Sequence, residues 1–279
     1  MTLPAMPQPT GAYSALGGIS KTSIEIYVVA HKSYRMPAND GIYIPVQVGF
    51  NDTISGFKRD DTGENIHDKN GSYCELTAQY WAWKNRTADV KGLVHYRRLF
   101  VSRQAHGRFN YDQVLGASEI ETLLTKYDVI VPKKRNYYIE TLANHYKHSH
   151  LDIGLTTLDD IIKADFSTYW PAYKHHLQEK KGHMFNMLIA KGPVFDDYSK
   201  WLFEVLGKVE AKIDISHFSK SEQRIYGYLS ELLLDVWLET NHLTYVEVPV
   251  AFVEGENLFK KGLVMIKRKL VGFSEEKRS

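Results

Sequence analysis

The sequence has a single cysteine, no long apolar run and almost no net charge. Cys74 alone cannot form an intramolecular disulfide, which suits a reducing compartment such as the cytoplasm. No segment approaches the roughly 20 apolar residues that span a bilayer, and we find no basic region followed by an apolar core, as a secretory signal would have. The formal charge of +2 argues against a general nucleic-acid-binding protein. These absences predict a soluble, cytoplasmic protein that does not bind nucleic acid.

Apolar residues are plentiful and alternate between strand-like and helix-like segments. Hydrophobic residues make up 43% of the chain and aromatic residues 13%, enough for a sizeable core. Strands are predicted at 23–31, 90–101, 127–134, 183–192 and 245–253, and helices at 73–86, 156–164, 167–180, 195–213 and 221–241. This alternation predicts the α/β class, with a mixed, mostly parallel sheet flanked by helices. We expect one domain over 23–255, a loose leader over 1–22 and a basic amphipathic tail over 256–279.

Basic residues follow the second predicted strand, in the stretch KGLVHYRRLFV. His95, Tyr96, Arg97 and Arg98 come where a buried run ends, and ligands gather at the carboxyl ends of parallel strands. Arginine pairs offer hydrogen-bond forks that suit phosphate oxygens, and Tyr96 can stack on a base. The same pattern also fits an edge strand whose arginines form ion pairs at the surface.

Two loops concentrate polar side chains. Asp60, Asp61, Glu64 and Asp68 lie in the segment 59–70, where carboxylates suit Mg or Mn ions, sugar hydroxyls or a solvated turn. The histidines of HYKHSH at 145–150 lack the spacing of a tetrahedral zinc site. We interpret that segment as a polar loop lining a site.

The predicted helix 221–241 carries a polar stripe. Arg224, Tyr228, Glu231 and Asp235 follow one another at helical spacing. Such a stripe faces either water or a cleft. In a cleft, Glu231 would serve as a general base and Arg224 would orient a ligand.

Two further polar residues and the cysteine complete the candidates. His183 and Asn186 precede an apolar strand, where Asn186 fits either a ligand hydroxyl or a turn. Cys74 is interpreted as a small core residue.

Long motifs in the chain resemble the DUF4422 family. They are RDDTGENIHDKNGSYCELTAQYWAWKN, GLVHYRRLF, HMFNMLIAKGPVFDDYSKWLFEVL and RIYGYLSELLLDVWL, in the same order between about residues 24 and 255. Members of that family come from bacterial capsule, exopolysaccharide and O-antigen gene clusters and are regarded as GT-A glycosyltransferases. The resemblance therefore implies a GT-A-like fold and sugar transfer.

The resemblance also implies roles for the candidate residues. GT-A enzymes commonly end a strand in Asp-x-Asp, which holds a metal on the donor diphosphate, and this chain has HYRR there. We expect Arg97 or Arg98, helped by His95, to replace the metal, so that Mn or Mg is not favoured as a cofactor. The residues expected to bind the donor nucleotide are Ala30, His31, Lys32 and Tyr96. Those expected to bind the sugar are Asp60, Asp61, His183, Asn186 and Arg224. Glu231 is expected to act as the base.

The implied reaction moves a sugar, with galactose in pyranose or furanose form as our guess, from a UDP-sugar to a polyprenyl-diphosphate-linked or oligosaccharide acceptor. The tail alternates apolar residues with basic ones at Lys260, Lys261, Lys267, Arg268 and Lys269. It fits either a contact with the inner face of the plasma membrane or an ordinary surface helix.

Two other functions compete with sugar transfer. A non-catalytic carbohydrate-binding or nucleotide-sugar-binding component of a polysaccharide assembly complex would explain the many aromatic residues. A metal-dependent phosphate hydrolase would explain the acidic loop, but the sequence has no P-loop and no nucleophile elbow.

Overall fold

The computed structural model describes residues 22–38 and 41–253. The predicted leader, except for Thr22, and the predicted tail 256–279 lie outside the described residues, and so does the membrane contact expected of the tail. Within the described ranges, no helix is long and apolar enough to cross a membrane.

Helices and short strands alternate along the chain, as the sequence predicts. The strands are β1 (Ile24–Ala30), β2 (Tyr43–Gln47), β3 (Lys58–Arg59), β4 (Val90–His95), β5 (Arg98–Phe100), β6 (Val129–Pro132), β7 (Arg135–Asn136), β8 (Lys181–Gly182), β9 (Leu188–Lys191), β10 (Tyr245–Val248) and β11 (Val250–Phe252). The helices are α1 (Asn70–Tyr73), α2 (Leu76–Asn85), α3 (Ala117–Leu124), α4 (Leu142–Ser149), α5 (Asp152–Asp165), α6 (Trp170–Gln178), α7 (Gly192–Glu210), α8 (Ile225–Ser230) and α9 (Leu234–Thr240).

The central sheet is mixed and mostly parallel, which confirms the predicted fold class. Its main strand order is β10-β6-β9-β4-β1-β2-β3, and β5 and β11 form a short antiparallel extension beside β4. Along the main order, only β9 runs against its neighbours. A separate small sheet joins β7 and β8. The carboxyl ends of β1, β2, β3, β4 and β6 therefore share one edge.

The two faces of the sheet are buried in two separate apolar layers. Successive strand residues point to opposite faces, so Ile26 and Val28 pack in one layer, with Ile120 of α3. Tyr27 and Val29 pack in the other layer, with residues of α2, α5 and α7. This arrangement explains why β1 and β4 are apolar runs with no alternation.

One charged residue lies inside β4. Lys91 is almost fully buried, and its Nζ donates to both carboxylate oxygens of Asp196 on α7, at 2.8 and 3.0 Å. The pair ties the sheet to α7, because an unpaired ammonium there would carry a large desolvation cost.

Two segments that we predicted as single strands are each divided. The chain turns at Tyr96 and Arg97, so that Arg98 pairs back on His95. The predicted strand 245–253 divides at Pro249, with β10 pairing to β6 and β11 to β5. The prediction of continuous strands was wrong because an apolar pattern records burial but not which partner a strand chooses.

The predicted helix 221–241 is also interrupted. Residues 231–233 form a turn between α8 and α9, in which Leu232 and Leu233 donate to carbonyls three residues earlier. The prediction of one continuous helix with a polar stripe through Glu231 and Asp235 is therefore wrong. Ile225 and Val236, which we predicted on the apolar side of that helix, are buried.

Gly92 in the middle of β4 has no room for a side chain. A Cβ there would lie 2.7 Å from Cγ1 of Ile189 and 2.8 Å from Cδ1 of Ile26. We expect Gly92→Ala to lower the free energy of unfolding by about 1–3 kcal/mol, because overpacked cores must shift neighbouring atoms. Urea denaturation measures this change.

The matched control is Gly207→Ala on an exposed position of α7. A Cβ there meets nothing within 4 Å, and alanine favours a helix over glycine by up to about 1 kcal/mol. Equal stability of the two variants would contradict the packing argument.

Candidate functional site

The candidate site lies at the edge of the sheet where the parallel strands end. Since β9 runs in the opposite direction, the segment 183–187 that precedes it reaches the same edge. The site therefore combines the ends of β1 and β4 with that segment and with the turn between α8 and α9. Ligands of open α/β sheets bind at such an edge.

Cationic and imidazole groups surround the ring of Tyr96. The ring centroid lies 5.5 Å from that of His31 and 4.6 Å from that of His95. Nζ of Lys32 lies 5.3 Å from the centroid, and Cζ of Arg97 lies 5.4 Å from it. Tyr96 itself is buried, so it fixes these groups around one point, where a negatively charged ligand would be attracted.

His95 contributes to this edge as a neutral ring. Burial, followed by the charges of Arg97 and Arg98, lowers its pKa to about 3. Its Nδ1 accepts a hydrogen bond from the backbone N–H of Arg97 at 3.2 Å, which leaves the ring proton on Nε2. His95 can therefore donate one hydrogen bond to a ligand oxygen as a neutral ring, and the help that we expected it to give Arg97 or Arg98 stays a prediction.

Arg98 lies between the end of β4 and the segment 183–187. Its half-buried guanidinium carbon lies 4.4 Å from the centroid of Phe185 and 5.9 Å from that of Phe252. Its charge also lowers the pKa of Glu231. Arg97 is exposed and lies in the turn, so the two arginines occupy different environments.

Glu231 lies in the turn between α8 and α9 and is half-buried. Its Oε1 accepts from the backbone N–H of Phe185 at 3.2 Å. Burial first, and the negative charge of Glu75 second, raise its pKa to about 7, while the positive charges of Arg98 and Arg135 act in the opposite direction. A residue that keeps some solvent access and is still strongly desolvated fits the floor of a cleft. A carboxylate with this pKa suits proton transfer near neutral pH.

Asn186 connects Glu75 to α8. Its Nδ2 donates to Glu75 at 2.9 Å and to the carbonyl of Gly227 at 3.2 Å, and its Oδ1 accepts from Ser230 at 2.9 Å. Its side-chain amide is therefore occupied, and the sugar contact that we expected of Asn186 stays a prediction.

The backbone of the same segment adopts an uncommon conformation. Phe185 and Asn186 have φ values of 81° and 51°, which cost free energy for residues other than glycine. Such strain needs support from its surroundings, which the contacts with Glu231 and α8 provide.

His183 is held from the interior of the protein. Its backbone N–H and Nδ1 contact the two oxygens of Asp235 at 2.8 and 2.7 Å, and its Nε2 lies 3.3 Å from Glu247. Asp235 also pairs with Lys134 at 3.2 Å, and the contact with His183 keeps its pKa below the usual value despite its burial. His183 is buried, so it fixes the segment 183–186; its sugar contact stays a prediction.

Asp60 and Asp61 are engaged in local pairs near β3. Asp60 is fully buried and lies 2.6 Å from Nδ1 of His67, while Asp61 accepts from Nε of Arg59 at 2.6 Å. Burial raises the pKa of Asp60. Within the described ranges, neither carboxylate contacts the side chains around Tyr96 or Glu231.

Ala30 and Arg224 differ in their exposure. Ala30 is buried, and its carbonyl accepts a hydrogen bond from the backbone N–H of Val48 at 2.9 Å. Its carbonyl is therefore already engaged within the sheet, and its nucleotide contact stays a prediction. Arg224 is exposed, donates to Sγ of Cys74 at 3.2 Å, and its charge lowers the pKa of His95. The structure therefore brings Arg224 to the cationic edge.

Sequence reasoning missed Glu75, Arg135 and Asp235 as contributors to the site. Glu75 directly follows Cys74, whose φ of 54° turns the chain before α2. Nothing in the spacing of CELT signals that its carboxylate meets Asn186, more than a hundred positions away. Asp235 stood in our polar stripe, without a role.

The groups around Tyr96 differ from the oxygen-rich donor sets of Mg and Mn sites. Imidazole and guanidinium groups replace the oxygen ligands that Mg and Mn prefer. In the part of the chain that the structure describes, no group of three or more His, Cys, Asp or Glu side chains is arranged to hold a metal ion. His145 and His148 instead contact Glu140, at 3.1 and 3.0 Å.

Comparison with known proteins gives a family and one solved structure. A family model described as a domain of unknown function, DUF4422, matches residues 25–242. No curated protein matches the sequence significantly. The apo structure of WbbM, a bifunctional glycosyltransferase, superimposes with a TM-score of 0.76 at 29% identity, over 84% of this chain and 46% of that chain. This chain thus spans about half of the WbbM chain. The likeness supports the GT-A-like fold expected from the sequence, and since the family model covers most of the described residues, the chain belongs to the DUF4422 family.

Proposed function

We propose that this chain is a glycosyltransferase that moves a sugar from a nucleotide sugar to a hydroxyl group of a carbohydrate acceptor. The observation that carries the proposal is the pairing of a cationic strand end with a nearby carboxylate of raised pKa. The first suits a diphosphate leaving group, and the second suits removal of a proton from an alcohol. The likeness to WbbM, which is described as a glycosyltransferase, supports the same class.

The reaction follows from the placement of these groups. The acceptor oxygen attacks the anomeric carbon, the bond from that carbon to the diphosphate oxygen breaks, and the acceptor proton passes to Glu231. Arg98 and Arg97 stabilise the charge that develops on the diphosphate, and His95 donates one neutral hydrogen bond. Attack assisted by a base inverts the anomeric centre; a retaining enzyme would not need Glu231.

The finer features of the proposal come from the setting of the family. The donor is a UDP-sugar, with galactose as the transferred sugar in pyranose or furanose form. The acceptor is a growing bacterial surface polysaccharide on a polyprenyl diphosphate lipid, or an oligosaccharide.

A thermal-shift screen of the full chain against nucleotide sugars, with and without Mn, tests the donor class. We expect a UDP-sugar to raise the melting temperature, since a ligand that binds the native state stabilises it, and to do so equally in EDTA. Release of UDP on addition of an acceptor then separates an enzyme from a binding protein. If EDTA abolished the activity and Mn restored it, stabilisation of the diphosphate by arginine alone would be contradicted.

A further inference from the structure

An exposed apolar pair projects from the loop between β7 and α4. Tyr138 is 76% exposed and Ile139 is 61% exposed, which places both among the most exposed large hydrophobic residues of the described chain. Single exposed apolar residues are common, whereas neighbouring ones form a small apolar patch of the kind that can mark an interaction site.

Backbone hydrogen bonds define the conformation of the loop that carries this pair. Tyr138 has a φ of 58°, and its backbone N–H donates to Oδ1 of Asn136 at 2.8 Å. The N–H of Ile139 donates to the carbonyl of Tyr137 at 2.6 Å. These bonds fix a tight turn whose tip points away from the protein, so the exposure is a property of the folded loop.

Basic residues surround the base of the tip. Arg135 pairs in register with Gly182, and Asn136 pairs with Lys181, while the N–H of Tyr137 donates to the carbonyl of Lys180 at 2.9 Å. Lys180 and Lys181 are exposed, and so is Lys133 just before β7. We call Lys133, Arg135, Lys180 and Lys181, together with Tyr138 and Ile139, the loop-tip surface.

The two carboxylates next to this surface along the chain contact histidines and not its lysines. Glu140 is engaged by His145 and His148, and Glu179 lies 3.4 Å from His175. Within residues 22–38 and 41–253, no carboxylate pairs with the side chains of Lys180 or Lys181. The surface therefore combines a small apolar tip with four basic residues, of which Lys180 and Lys181 form no ion pair with a carboxylate of the described residues.

We propose that the loop-tip surface binds the interface of an anionic lipid bilayer. Tyr138 and Ile139 would enter the headgroup region, where an aromatic ring with a polar end is favoured. The surrounding lysines and arginine would bind acidic headgroups. This inference goes beyond the proposed function, because it concerns where the protein is held and not what it transfers.

The surface also lies next to the candidate site. Gly182, which pairs with Arg135, directly precedes His183 of the site segment. Attachment through the loop tip would therefore bring the cleft close to a membrane surface.

Co-sedimentation of the full chain with vesicles tests the proposal. We expect binding to phosphatidylglycerol vesicles, little binding to phosphatidylcholine vesicles, and loss of binding as salt is raised, because surface charges are screened. The pair Lys180→Gln and Lys181→Gln should weaken binding by at least about tenfold. The pair Tyr138→Ser and Ile139→Ser should also weaken it severalfold.

Matched controls separate the surface from general effects. Phe50→Ser removes another exposed aromatic residue, which is 71% exposed beside β2, and the pair Lys126→Gln and Lys200→Gln removes two exposed lysines elsewhere. Both controls should bind like the original chain. Unchanged binding of both loop-tip variants, or no binding of the original chain to anionic vesicles, would overturn the proposal. A change confined to self-association would mean that a second copy occupies the surface.

UDP affinity, measured on the same variants without vesicles, should be unchanged. Loss of vesicle binding with intact UDP binding supports the surface, and absence of UDP binding in every variant counts against the proposed function alone.

Discussion

Glu231→Gln should abolish most sugar transfer while leaving donor binding nearly intact. Glutamine keeps the size of the side chain and can still accept from the N–H of Phe185, a contact of 3.2 Å, but it cannot take up a proton. Because general bases contribute about 10²–10⁴-fold to a rate, we expect turnover to fall within that range. Turnover with a UDP-sugar and calorimetry with UDP measure the two effects separately.

The pH dependence provides a second measurement of the same group. Glu231 must be deprotonated to act as a base, so turnover of the original chain should rise with pH through about 7 and then level off. Glu75→Gln removes the nearby negative charge that helps to raise this pKa. In the Glu75→Gln variant, which still has Glu231, the increase in turnover should therefore occur at lower pH.

The contribution of Glu231 to the free energy of unfolding also depends on pH, and it decreases as the pH rises. The pKa of Glu231 is raised from 4.5 to about 7 on folding, so between these values the folded chain binds a proton that the unfolded chain has released. The contribution of this group is therefore fully present below pH 4.5 and is lost as the pH rises through 7. Glu231→Gln should remove this slope. Near-normal turnover together with an unchanged slope would reject Glu231 as the base.

The fold could be predicted from sequence where burial alone decides the structure. The segments of β1 and β6 are short apolar runs that only a sheet covered on both faces accommodates. The segment of α7 shows an apolar stripe at helical spacing, and its residues Phe195, Leu202 and Val209 are buried. Such patterns depend on the chain itself and on water, so they are visible without knowledge of partners.

The site could be predicted only where position along a strand decides it. Arg97 and Arg98 became candidates because charged residues at the end of an apolar strand are uncommon. Glu231 came from the family resemblance and a helical stripe, but the helix is interrupted there. The contact of Asn186 with Glu75 joins residues more than a hundred positions apart, and no local pattern records such pairing.

Arg98→Ala should weaken UDP binding by about 10- to 100-fold. A hydrogen bond from a charged group contributes about 1.5–3 kcal/mol, and a half-buried guanidinium beside Phe185 is less screened by water than an exposed one. Arg97→Ala should have a smaller effect, of a few fold, because Arg97 is exposed and surface charges contribute about 0–1 kcal/mol. Calorimetric titration with UDP measures both changes.

Two further variants separate the effect of the guanidinium group from the effect of its charge and from general effects of losing an arginine. Arg98→Lys keeps the charge but loses the planar fork that matches two phosphate oxygens, so we expect affinity between those of the original chain and the alanine variant. Arg103→Ala removes an exposed arginine whose backbone is bonded to Glu119, and it should bind UDP normally. If Arg97→Ala and Arg98→Ala both kept full affinity, the cationic strand end would not bind the diphosphate. The ordering of Arg98 above Arg97 depends on desolvation, so equal losses would instead mean that both guanidinium groups reach the phosphates from solvent.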